Sequence, residues 1–96
     1  MQARKDILWF KERMAPILTD YEINYKSFKD GDFGDLERVE FEGKGKGGSI
    51  DFWSSGWLGI HAYDYKKEGV IINILLEPEQ DLEKENAFKE LKILLL

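Results

Sequence analysis

Apolar and polar residues alternate through the middle of the chain with the period of two that a half-buried strand imposes. Around a Ser54-Ser55-Gly56 turn, one register groups Ile50 and Phe52 with Leu58, Ile60 and Ala62. The other groups Asp51 and Trp53 with Trp57, His61, Tyr63 and Tyr65. This spacing predicts strands from Ser49 to Ser54 and from Trp57 to Tyr65. Leu36 to Glu42 alternates as well, Val39 and Phe41 against Arg38, Glu40 and Glu42, ahead of a Gly43-Lys44-Gly45-Lys46-Gly47-Gly48 hairpin loop. After a turn at Lys66 to Gly69, the run Val70 to Leu76 is apolar except at Asn73. That is the pattern of a strand buried on both faces, central or covered, and Pro78 ends it. Between Thr19 and Phe28, Tyr21, Ile23 and Tyr25 alternate with Glu22, Asn24 and Lys26, which fits a strand or an extended connector. Lys29 to Asp35, with Asp30-Gly31-Asp32 and Gly34, reads as a loop.

The two ends follow a different period. Ile7, Phe10, Met14, Ile17 and Leu18 recur at helical spacing between Arg4 and Leu18. Asp6 sits where a negative charge suits the helix dipole; Pro16 costs a hydrogen bond, so the helix is expected to end near Leu18, loosened at Met14 or Ala15; Trp9 falls at the border of the stripe. Glu79 to Leu96 predicts a second helix with Leu82, Phe88, Leu91 and Leu95 inward and Asp81 as its cap; a start near Asn86 is the alternative. Its apolar end, Lys92 to Leu96, is expected to tuck against the domain or a partner. Two amphipathic helices bracketing a hairpin meander give a single α+β domain. The expected architecture is a two-layer sandwich, a mainly antiparallel sheet of four to five strands with both helices on one face. The other face then carries Arg38, Glu40, Asp51, Trp53, Trp57, His61, Tyr63, Tyr65 and Asn73, with Ile71 and Leu75 as further candidates, a mixture of acids and rings that marks contacts.

Ninety-six residues make one domain with a modest core, and an aromatic content of 14% means that large rings supply much of the burial. There is no cysteine, hence no disulfide, thiolate ligand or cysteine nucleophile. The net charge of -5 disfavours nucleic acid and anionic membrane surfaces, both of which call for Lys and Arg. It favours a basic partner, which complementary fields steer inward. The N-terminal stretch lacks the uninterrupted apolar core of a signal peptide, and no apolar run approaches the ~18 residues of a membrane span. The expected compartment is the cytoplasm.

Chemistry is sparse. His61 is the single imidazole; with Asp51 across the hairpin it could form an acid–base pair. No nucleophile is tied to it, and a histidine hydrogen-bonded at a surface fits the pattern better. Asp30, Asp32 and Asp35 lack the register and terminal Glu of a calcium loop. The Gly43–Gly48 loop lacks the Gly-Lys-Ser/Thr ending and following helix of a phosphate cradle. No catalytic group, metal or cofactor is expected. Acidic runs are ordinarily solvated faces, but Trp and Tyr are the usual anchors of protein contacts. The candidate partner-binding residues are therefore Glu40, Asp51, Trp53, Trp57, His61, Tyr63 and Tyr65. A shallow groove for a small molecule or peptide, or a homodimer through the same face, are the competing readings.

The run Gly48-Ser49-Ile50-Asp51-Phe52-Trp53-Ser54-Ser55-Gly56-Trp57-Leu58-Gly59-Ile60, with its acidic flanks in a cysteine-free chain, resembles small bacterial immunity proteins. These are the cognate inhibitors of toxins in contact-dependent growth inhibition and related polymorphic toxin systems. The resemblance implies a cytoplasmic, non-enzymatic protein. Such a protein binds its cognate toxin domain, often a basic nuclease, and blocks the active site or substrate groove. It transfers no site residue.

Overall fold

The structure, a computed structural model, describes residues 5–31 and 33–96. Among them are α1 (Ile7–Arg13), a 3-10 turn (Ala15–Ile17), five strands and α2 (Asp81–Leu95). The strands are β1 (Glu22–Gly31), β2 (Gly34–Gly43), β3 (Lys46–Trp53), β4 (Leu58–Asp64) and β5 (Gly69–Leu76). They form one antiparallel sheet in the order β1-β2-β3-β4-β5, so each strand pairs with its neighbour in sequence. This is the expected α+β architecture, and the alternating 19–28 segment joins the sheet as β1. The expected helix start at Arg4 and the Asp32 of the first loop lie outside the described residues.

Alternation fixes the two faces. Cross-strand partners share a face, so Tyr25, Val39, Ile50, Ile60 and Ile74 form one inner row, and Ile23, Phe41, Gly48, Ala62 and Ile72 the next. Val39, Ile50, Ile60 and Ala62 are fully buried beneath Phe10, Met14 and Leu18 of the N-terminal segment and Phe88, Leu91 and Leu95 of α2. Rings join the layers: Phe88 lies 4.5 Å from Trp9 and 6.2 Å from Phe52, centroid to centroid. Asp6 caps α1 by accepting the Trp9 N–H at 2.9 Å. The C-terminal end is tied down by the buried Tyr21 hydroxyl, which donates to the Leu95 carbonyl at 2.7 Å, and by Lys46 Nζ, which donates to the Leu94 carbonyl at 2.7 Å. Leu95 is fully buried, while Ile93 and Leu96 point to solvent.

Several expectations are corrected. The glycine-rich loop is a two-residue turn: Lys44 and Gly45 both have positive φ, 52° and 74°, the geometry of the favoured tight hairpin. Gly47 and Gly48 belong to β3 because other groups fill their Cβ positions, the Tyr65 ring at Gly47 and the Phe41 ring and Ala62 backbone at Gly48. The first loop shrinks likewise, its flanks being strand. Helix α1 ends at Arg13, and Ile17 turns outward in the 3-10 turn around Pro16. Leu82 of α2 is exposed, and its place in the inner stripe is taken by Lys84. Asp81 is not the cap: Gln80 is, with no side-chain cap bond, its amide oxygen accepting the Glu77 N–H instead.

The strand that is apolar except at Asn73 is an edge, not the centre. β5 pairs only with β4. It carries one extra residue, Ile71, opposite the Ala62–Tyr63 step. That bulge puts Val70 on the outer face beside Tyr63, where it is exposed. Leu75 is exposed on the same face.

Candidate functional site: the bare sheet face

With both helices on the inner side, the outer side of the sheet is uncovered, and the strand register maps it as a grid. One row reads Glu22, Glu42, Gly47, Tyr63, Val70; the next Asn24, Glu40, Ser49, His61, Asn73; the third Lys26, Arg38, Asp51, Gly59, Leu75. Phe28, Leu36 and Trp53 close the far end. Of the sequence-predicted residues, Glu40, Asp51, Trp53, His61 and Tyr63 sit in this grid. The Trp53 indole lies across Gly59, within 3.4 Å of where a side chain would start. Tyr65, just past β4, lays its ring over Gly47, 5.5 Å from the Tyr63 ring.

Trp57 does not join them. Residues 54–57 are turn rather than strand, which breaks the alternation. Its indole stacks on Phe33 at 4.5 Å and 13°, and Phe33 meets Trp53 edge-on at 5.4 Å. Backbone bonds pin the same corner. Ser54 N–H donates to the Asp35 carbonyl at 2.8 Å, Asp35 N–H to Ser54 Oγ at 3.0 Å, and the Ser55 hydroxyl to the Phe33 carbonyl. Trp57 thus clamps the tip of the β1–β2 hairpin onto the β3–β4 turn. Beside it a polar cleft of about 470 Å³ runs between that turn and the start of α2. At its floor Lys84, 7% exposed, donates through Nζ to the carbonyls of Gly56 at 2.7 Å and Pro78 at 2.9 Å.

The charges of the face divide sharply. Asp51 accepts both arms of Arg38, Nε to Oδ1 at 2.7 Å and Nη2 to Oδ2 at 3.1 Å. The hydrogen bond to Asp51 raises the Arg38 pKa above its ordinary value, and the guanidinium lies 5.4 Å from the Phe28 ring centroid. Glu40 is paired with Lys26 at 3.1 Å. Neither acid is therefore a free carboxylate, and among the described residues no hydrogen bond joins Asp51 to His61. Glu22 and Glu42 stand directly opposite each other, and among the described residues neither has an ion-pair partner. With Asn24, Ser49 and Tyr65 they line a depression of about 370 Å³. A second depression of about 200 Å³ lies between His61, Asp51, Trp53, Asn73 and Leu75.

Sequence reasoning missed Phe33, whose signal was a large ring between turn glycines, and the Glu22–Glu42 pair, which needed the β1 partner to be known. Among the described residues no cluster of His, Asp or Glu is arranged to hold a metal, and no helix is long and apolar enough to cross a membrane. No protein-family model, curated protein or solved structure matches the chain.

Proposed function

We propose that the chain is a non-catalytic binding protein of the immunity type, which docks a basic protein toxin domain on its bare sheet face and neutralises it by occlusion. The observation that carries this reading is the Glu22–Glu42 pair beside the Tyr63 and Tyr65 rings, which meet at a tilt of 49°. Like charges directly opposite across two strands destabilise a sheet. A Lys or Arg from a partner, placed between them, converts that repulsion into attraction. The tyrosine faces supply apolar area and a cation–π surface for the same cation. The basic, nuclease character of the toxin and the cytoplasmic site of action come from the resemblance of the Gly48–Ile60 run. Asp51 holding Arg38 rather than His61 weighs against an acid–base site.

The test is co-expression with the protein encoded by the neighbouring upstream reading frame, read as rescue from growth arrest and as binding by calorimetry. Binding that weakens with rising salt and is lost in Glu42→Lys with Tyr65→Ala is the expected result. Full rescue by that double variant would overturn the reading.

A further inference from the structure

We propose that a second copy of this chain pairs with the free edge of β5, antiparallel across a two-fold axis, to make a continuous ten-stranded sheet. The proposal does not rest on the toxin reading: it uses the strand edge of β5, whose outward residues Asn73 and Leu75 border the sheet face.

An edge strand presents a row of unpaired N–H and C=O groups, and proteins ordinarily blunt such edges with charge or proline. The two edges of this sheet are treated differently. β1 carries Glu22, Lys26, Lys29 and Asp30. β5, Gly-Val-Ile-Ile-Asn-Ile-Leu-Leu, has no charged residue and no proline, and is the one strand of the five without a charge. Its one protective device is the bulge at Ile71, which leaves Ile72 to Leu76 regular.

Charge selects the occupant. The chain carries a net charge of -5, so copies of it repel wherever acids meet. At β5 no acid side chain on the strand opposes the approach, and a cationic partner gains nothing there. The regular stretch is also compatible with itself under a two-fold axis through Ile74. Ile72 then faces Leu76 of the other copy on the inner side, extending the core row, and exposed Leu75 faces Asn73 on the outer side. Such isologous pairing is the commonest symmetry of homo-oligomers. The regular stretch spans only about 17 Å at ~3.4 Å per residue. One short strand pair is a small contact, so the dimer is expected to be reversible and concentration-dependent.

Sedimentation velocity over a wide concentration series of the full chain tests this. The expected result is a shift from the 11.2 kDa monomer to twice that mass as concentration rises. The double variant Asn73→Lys with Leu75→Lys replaces two exposed residues and sets lysines opposite each other in the dimer. It should stay monomeric with an unchanged circular dichroism spectrum. Because it also makes the chain less acidic, general repulsion between copies cannot explain the loss. A wild-type chain that remains monomeric throughout overturns the proposal, as does a dimer that the lysines leave intact. Should the variant not fold, hydrogen exchange on the wild type decides. Outward amides of Ile72 to Leu76 must slow with concentration, and exchange that ignores concentration refutes the pairing.

Discussion

Replacing Lys84 by Met removes one ammonium and little else, since the apolar stem keeps its length and packing. The ammonium is held between the β3–β4 turn and the lead into α2 by the carbonyls of Gly56 and Pro78. Hydrogen bonds from a charged donor contribute ~1.5–3 kcal/mol each, so the bonds to these two carbonyls alone amount to about 3–6 kcal/mol. Two effects offset part of this. The variant no longer desolvates an ammonium, a cost of several kcal/mol. The orphaned carbonyls also border the cleft, where water can reach them. A net loss of about 2 kcal/mol remains, and at ~4–8 °C per kcal/mol for a domain of this size the melting temperature should fall by about 8–16 °C. Urea titration should show a lower midpoint at unchanged slope. Hydrogen exchange at residues 54–57 should accelerate more than at the centre of β3, because the turn loses its tie to the helix. A melting temperature within about 3 °C of wild type would refute the reasoning; it would mean that burying the charge costs as much as its two bonds return.

Glu42→Lys turns the repulsive cross-strand pair with Glu22 into an attractive one, and should stabilise the free protein by about 0.2–1 kcal/mol in urea titration; a destabilised variant would contradict the assigned register. Gly48→Ala forces a methyl into the space held by the Phe41 ring and the backbone of His61 and Ala62, and should cost about 1–3 kcal/mol or more; a neutral thermal melt would count against that packing. Asp64 accepts the Lys66 and Lys67 N–H groups. Chiefly the Lys67 bond, then the Lys66 bond, holds its pKa below the ordinary 3.8, against the pull of burial. The unfolded chain therefore binds this proton at higher pH than the native chain does. The stabilisation is complete above the ordinary value and is lost as pH falls through the lower native one. Asp64→Asn should flatten the decline of melting temperature in that window, and an unchanged profile would assign the acid sensitivity elsewhere.

The inner rows were legible because a sheet covered on one side writes its burial directly into alternation. Val39 and Phe41, Ile50 and Phe52, Leu58, Ile60 and Ala62 all point inward as their spacing requires. What failed was whatever one extra residue or one turn can reverse. The bulge at Ile71 flips Val70 outward, and apolar composition cannot tell an edge open to solvent from a covered centre. Trp57 shares the parity of Trp53 in the sequence, but parity carries no meaning across turn residues. Leu82 and Lys84 exchange the expected inside and outside because two backbone carbonyls await the ammonium near the base of α2, and nothing local announces them. The acids chosen from the sequence, Glu40 and Asp51, are satisfied by cations one strand away, while the unpaired ones were recognisable only once β1 had a partner.

Because each strand lies beside the one before it in the chain, the sheet can be laid down hairpin by hairpin, with short closures at every step. The bond from Tyr21 to Leu95 spans 74 residues and cannot form until synthesis has reached the last turn of α2. During folding, therefore, a sheet built hairpin by hairpin keeps its inner rings waiting for α2, and that helix acts as the latch that closes the core.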